Sequence, residues 1–278
     1  MKSETLILRP GSGLCNRLRA IAGAMHLAKE AECRLEIQWF SCPLRRWAGL
    51  CGMRARFDDL FKPIESVRIK EKIKIRNDFP WEWMRWSSIN VNYYGEDRRH
   101  NLVVDVRDKL RKQYWLYTCH EFYPAMEYCW LRPKTKLAAR IDSVASRFGG
   151  HCIGFHIRRT DNKNAIAHSP LSLFTNKMDE EIIADSNVRF FLSTDDTSLK
   201  GELCGRYGDR LLTCHEVAPR YTVQGEEDAV VDLFLLSRTT KIYGSFWSSF
   251  SKVAAQIGNI PLEVLTAKDT ELPIWAEN

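Results

Sequence analysis

Short apolar runs alternate with stretches of helical periodicity from residue 137 to residue 265, and this alternation constrains the fold more than any other feature. Cys152-Ile153-Gly154-Phe155-His156-Ile157 reads as a strand of the buried type, and Arg189-Phe190-Phe191-Leu192 as another. Lys241-Ile242-Tyr243-Gly244 and Leu262-Glu263-Val264-Leu265 are further strands, with Leu211-Leu212 a short one. Among them lie a helix-prone stretch reaching Tyr207, an apolar helix over residues 226–238, and a helix from about Ser248 to Gln256. Ahead of the first strand, Leu137, Ile141, Val144, Ala145 and Phe148 mark a helix that stops at Gly149-Gly150. Strand and helix in turn predict a parallel, doubly wound sheet covered by helices.

The first residues repeat the pattern. Thr5-Leu6-Ile7-Leu8 is a short strand, Pro10-Gly11-Ser12-Gly13 breaks it, and Leu14, Leu18, Ile21, Ala22, Met25 and Ala28 recur at helical spacing. Arg34-Leu35-Glu36-Ile37-Gln38-Trp39 then alternates as a half-buried strand, completing a βαβ unit. A chain of 278 residues has room for two domains of this kind. The expected division is a Rossmann-like domain over 1–133 and a second over 134–278.

Charge separates the halves. Residues 1–133 hold 24 Lys and Arg against 16 Asp and Glu, a net +8, whereas 134–278 hold 17 against 19, a net −2. The basic half suits either an anionic partner or a solvated cationic face. Between 41 and 133 the basic Arg45-Arg46, Arg54, Arg56 and Lys70-Glu71-Lys72-Ile73-Lys74 precede an aromatic cluster of Trp81, Trp83, Trp86, Tyr93 and Tyr94. Those rings suit stacking on sugars or bases, or a core. The nine cysteines form no C-x-x-C pair, and no secretory apolar segment follows the initial Met-Lys-Ser-Glu-Thr, so a reducing, cytosolic location is expected.

Polar residues gather where the apolar strands end. Gly11-Ser12-Gly13-Leu14-Cys15-Asn16 resembles a dinucleotide turn with Asn16 in the place of the third glycine, which leaves open an anion cradle or a plain tight turn. In Gly154-Phe155-His156-Ile157-Arg158-Arg159-Thr160-Asp161, His156 and Arg158 share one strand face, and guanidinium forks at a strand end suit phosphate or carboxylate. The alternative for one arginine is a structural pair between Arg159 and Asp161. Asp195 and Asp196 end the strand at residue 192 and read as paired acids or helix caps. Asp232 is a lone acid in an apolar helix. Ser245, Ser248 and Ser249 lie between a strand and a helix, where phosphate binds readily. No D-x-D and no H-E-x-x-H occurs, so no metal site is expected.

These segments together resemble the α1,6-fucosyltransferase and protein O-fucosyltransferase superfamily. The resemblance rests on Gly13-Leu14-Cys15-Asn16-Arg17-Leu18, His156-Ile157-Arg158-Arg159-Thr160-Asp161, Leu192-Ser193-Thr194-Asp195-Asp196, Asp232, and Ser248-Ser249. It implies a GT-B-like fold of two Rossmann-like domains facing a cleft, with the first domain on the acceptor side and the second on the donor side. It also implies a metal-independent, inverting transfer from GDP-fucose, with no cofactor. Carried onto this chain, Arg158 grips the β-phosphate, with Arg159 beside it. His156 and Asp232 hold the guanine and ribose, and Ser245, Ser248 or Ser249 meet the phosphates. Gly13 and Asn16 approach the pyrophosphate, and Asp195 and Asp196 are the family's paired acids.

The chain departs from that pattern after Asp161. Close fucosyltransferases continue with a lysine and then an acid, whereas Asn162-Lys163-Asn164-Ala165-Ile166 follows here, with no carboxylate before Asp179. Arg158, Asp161 and Lys163 are therefore the catalytic candidates, Lys163 displaced by one residue and Asp161 the candidate base. The expected activity is fucosyl transfer to an oligosaccharide, surface-glycan or lipid-linked acceptor, with peripheral contact at the inner face of a membrane and no nucleic-acid partner. Two rivals stand beside it: a catalytically silent nucleotide-sugar or glycan-binding protein, and a basic nucleic-acid-binding protein using residues 41–100.

Overall fold

The computed structural model describes residues 5–41, 53–71, 113–119, 127–214, 217–219 and 221–267. The chain forms two compact units, residues 1–134 with 221–226, and residues 135–220 with 227–278. The aromatic cluster from Trp81 to Tyr94, Arg45, Arg46 and residues 72–74 lie outside the described residues.

The first unit holds β1 (Thr5–Pro10), α1 (Leu14–Glu30), β2 (Arg34–Gln38), the short α2 (Phe57–Leu60), β3 (Val67–Lys70) and β4 (Gln113–Thr118). Its strands lie in the order β3-β2-β1-β4, and every pairing is parallel. The carboxylate of Glu226 accepts from the amides of Arg54, at 2.8 and 3.0 Å, and of Ala55, which ties residues 221–226 to this unit. Burial pushes that carboxyl upward, against the amides and the nearby Arg17 and Arg54 cations.

The second unit holds α3 (Thr135–Ala145), β5 (Cys152–Ile157), α4 (Lys163–His168), α5 (Leu171–Ala184), β6 (Arg189–Thr194), α6 (Thr197–Tyr207) and β7 (Leu211–Leu212). It continues with α7 (Val223–Leu236), inside which the division between units falls, then β8 (Lys241–Ser245), α8 (Ser249–Gly258) and β9 (Leu262–Leu265). The sheet order is β7-β6-β5-β8-β9, again wholly parallel. Both sheets therefore start on an inner strand, grow outward on one side, and then cross to the other. This is the doubly wound α/β arrangement expected from the alternation, with a crossover point beside β5 and β8.

The packing explains why the strand ends come close together. All six residues of β5 are buried, because helices cover a parallel sheet on both faces. Phe155, Phe174, Met178, Phe190, Leu192, Leu203 and Tyr243 form the core of this unit. A Cβ on Gly244 would lie 2.6 Å from Ser251 Oγ, so only glycine lets α8 sit this close to β8. That contact brings the N-terminus of α8 to the end of β5. Among the described residues no helix is long and apolar enough to cross a membrane.

Candidate functional site

The carboxyl ends of β5 and β8 are sewn together by Ser245. Its hydroxyl donates to the carbonyl of His156 at 3.2 Å and accepts from the amide of Arg158 at 3.0 Å. The expected phosphate-binding serine is thus buried in the seam between strands. Beside it, the His156 ring stacks on Phe250 of α8 with centroids 4.9 Å apart, and its Nδ1 is buried with no hydrogen-bond partner among the described residues. Burial first, and then the Arg158 cation, push the imidazole down to about 4, against the pull of Asp195 and Asp232. His156 is accordingly neutral at pH 7, with one unsatisfied nitrogen. Ser193, its register neighbour on β6, donates to the buried carboxylate of Asp232 at 2.8 Å.

The two arginines have separate fates. Arg158 directs its Nε to Asp161 Oδ1 at 3.0 Å, its Nη2 reaches the same oxygen, and Nε lies 3.6 Å from Asp195 Oδ2. Arg159 turns the other way, donating to the carbonyl of Ser169 at 2.6 Å and lying over the Phe174 ring. Burial lowers the Arg159 guanidinium, with Asp195 and Asp196 opposing. The alternative of a pair between Arg159 and Asp161 is not the one formed: Asp161 takes Arg158, and Arg159 is held by the carbonyl of Ser169.

The adjacent acids also differ. Asp195 accepts from the amides of Arg159 and Thr160, at 2.7 and 3.4 Å, and from the Thr160 hydroxyl at 2.6 Å, so it shapes the turn that carries Arg158. Burial pushes its carboxyl upward, but the Thr160 hydroxyl, the Arg159 amide and the Arg158 cation outweigh burial and hold it below the ordinary value. Asp196 caps α6, accepting from Ser198 and Leu199 at 2.9 and 3.1 Å. Ser248 caps α8, whose first residue is Ser249, so the positive end of that helix lies at the site. Lys163 is exposed on the first turn of α4.

In the first unit, the Gly11-Ser12-Gly13 turn is a built structure too. Ser12 has φ of 63°, and Gly13 is the N-cap of α1. Asn16 Nδ2 donates to Ser12 Oγ at 2.9 Å. The buried Arg17 donates to the carbonyls of Ser12 and Phe40, at 2.9 and 2.7 Å, and lies 4.6 Å over the Trp39 ring.

Several residues here carry parts that their sequence context concealed. Phe250 lies in the serine-rich run read for its hydroxyls, yet its ring packs the histidine. Thr160 and Ser169 anchor the arginine turn. Asn162, read only as a departure from a pattern, both caps α4 and bridges to the carbonyl of Trp247 at 3.0 Å. Among the described residues no group of three His, Cys, Asp or Glu side chains converges as a metal site requires.

No protein-family model and no curated protein matches this chain. Solved structures do. The fucosyltransferase NodZ from Bradyrhizobium is 21% identical, with a TM-score of 0.57 over 91% of this chain and 93% of that one. A mutant of Arabidopsis thaliana FUT1 in complex with GDP is 13% identical, with a TM-score of 0.61 over 96% of this chain and 72% of that one. POFUT1 in complex with GDP-fucose is 11% identical, with a TM-score of 0.53 over 94% and 96%. The likeness shows that this chain shares the fold of those solved structures.

Proposed function

We propose that this chain is a metal-independent, inverting glycosyltransferase that moves fucose from GDP-fucose to an oligosaccharide or surface-glycan acceptor. The observation that carries the reading is Arg158 at the end of β5, braced by Asp161 and Asp195 beside the N-terminus of α8. It occurs on a fold shared with proteins solved with GDP and GDP-fucose.

Departure of a nucleoside diphosphate leaves negative charge on the bridging oxygen and positive charge on the sugar. A fixed guanidinium and a helix N-terminus are placed to stabilise that leaving group without reorganising. Neutral His156, with its unsatisfied Nδ1, and the Ser193–Asp232 pair offer hydrogen bonds to the nucleoside. The acceptor hydroxyl attacks the anomeric carbon opposite the phosphate, which inverts the configuration. Asp161 serves as the brace of Arg158, and the acceptor proton passes to solvent. The net +8 of residues 1–133 supports an anionic acceptor or a peripheral, cytosolic-face membrane contact.

A metal-free thermal-shift panel of GDP, UDP, CMP and dTDP sugars tests the donor. GDP or GDP-fucose at 100 times its Kd adds about 2.7 kcal/mol of stability, and no shift with either overturns the assignment. The pairing of Asp161 with Arg158, with no carboxylate over 162–178, favours one second reading, a donor-binding protein without turnover. Release of GDP from GDP-fucose, with or without glycan acceptors, separates the two.

A further inference from the structure

Trp247 is the residue of the site that the proposed chemistry leaves unused. It follows β8 by two positions, is 47% exposed, and has φ of 56°, a left-handed conformation that a bulky side chain adopts only at a cost. Its neighbours hold it there. Asn162 Nδ2 donates to the Trp247 carbonyl at 3.0 Å, while Asn162 Oδ1 accepts from Ala165 and caps α4. Phe246 is buried, its amide donates to Ser169 Oγ at 2.8 Å, and its ring contacts those of His168 and Trp247, with centroids 4.8 and 5.7 Å away. The ring of Trp247 thus adjoins the buried Phe246 and is itself about half exposed. Asn162 joins the loop after β5 to the loop after β8.

We infer that Trp247 is a stacking surface for the pyranose ring of the donor sugar, and that Asn162 is the residue that positions it; this rests on the donor reading above. The order of groups supports the sugar over the base. His156, stacked on Phe250, lies deepest, Arg158 stands at the strand end, and Asn162 with Trp247 lies four residues beyond Arg158 where the site becomes exposed. A nucleotide whose diphosphate meets Arg158 and whose base lies toward His156 directs its sugar to the exposed end. The C–H face of a pyranose is flat and apolar, and an indole offers the largest complementary face.

The test is isothermal titration of GDP and GDP-fucose, without metal, into the wild-type chain, Trp247→Ala, Trp247→Phe and Asn162→Asp. Trp247→Ala is expected to weaken GDP-fucose about tenfold while the Kd of GDP moves less than about twofold, and Trp247→Phe to retain most of the affinity. Asn162→Asp keeps the acceptor that caps α4 but has no N–H for the Trp247 carbonyl. It is expected to fold normally and to weaken GDP-fucose selectively. Equal weakening of GDP and GDP-fucose by Trp247→Ala would place the indole on base or phosphate and overturn the inference. No change in either ligand, with a raised acceptor KM, would give the surface to the acceptor and also overturn it. Failure of the wild type to bind GDP overturns the donor reading itself, and is seen before any substitution is made.

Discussion

Arg158 donates from two guanidinium nitrogens to a single oxygen of Asp161, three residues further along the chain. On the proposed reading Asp161 is a brace for the cation rather than the base, since a proton taken up by the carboxylate would cost this ion pair. Arg158→Ala is therefore expected to raise the Kd of GDP by about a hundredfold, the loss of charge-assisted hydrogen bonds, with little change in thermal midpoint. Asp161→Asn is expected to lower kcat by no more than about tenfold, because general bases contribute roughly a hundredfold or more. Titrating kcat/KM against pH for both variants checks this; disappearance of the acidic limb in Asp161→Asn would restore Asp161 as the base.

Neighbouring acids with different partners should respond differently. Asp195 receives hydrogen bonds from Arg159 and Thr160, whereas Asp196 receives those of Ser198 and Leu199. Asp196→Ala is expected to cost about 1 kcal/mol of stability as a lost cap, with GDP affinity unchanged. Asp195→Ala releases the turn carrying Arg158, and is expected to cost roughly 2–4 kcal/mol and to weaken GDP at least about tenfold. Urea unfolding and GDP titration of both variants check the division; equal effects on GDP would reject it.

The sequence discloses this unit unevenly, for physical reasons. β5 and β9 are legible to the residue: β5 is buried along its whole length and reads as a nearly continuous apolar run, whereas β9, at the sheet edge, sets apolar Leu262, Val264 and Leu265 around an exposed Glu263. Helices α4 and α5 pass unseen. The first has six residues and one buried side chain, Ala165, and the second buries only Phe174, Thr175 and Met178 of its fourteen. The four residues of β3 and the six of β4 depend on pairing with β2 and β1, which no local pattern encodes. His156 and Arg158 are readable as strand-end residues from alternation. Which carboxylate takes which arginine is decided by side-chain direction across three loops, and Phe250 and Trp247 lie in a run whose serines draw the eye.

Close helix packing makes one glycine irreplaceable and another improvable. A Cβ on Gly258, the last residue of α8, would lie 2.1 Å from the carbonyl oxygen of Ser237, a backbone atom that cannot swing away. Gly258→Ala is expected to cost about 3 kcal/mol or more. Gly201, within α6, has open space where a Cβ would stand, so Gly201→Ala is expected to add about 0.5–1 kcal/mol. Thermal unfolding of the pair provides opposite signs to look for.

Leaving-group charge on this reading is met by Arg158 and the α8 N-terminus. Transfer is accordingly expected to proceed in EDTA at the rate seen with Mg²⁺ or Mn²⁺, within about twofold. An assay of GDP release after chelation decides it: activity abolished by EDTA and restored by a divalent cation would show that the proposed charge stabilisation is incomplete.

The buried imidazole gives the fold a pH dependence of definite sign. His156 is pushed down to about 4 from an ordinary 6.5, so the unfolded chain binds a proton between these values that the folded chain refuses. Its contribution to stability is complete above pH 6.5 and is lost as pH falls toward 4. The linkage amounts to roughly 2 kcal/mol between pH 7.5 and pH 5. His156→Phe keeps a ring against Phe250 and removes the titration. Urea midpoints of the two proteins should therefore converge or cross as the buffer is acidified, the wild type losing about 2 kcal/mol more than the variant. Parallel curves for the two would mean that His156 takes up its proton as readily in the fold as in the unfolded chain, and the downward push argued from its burial would go.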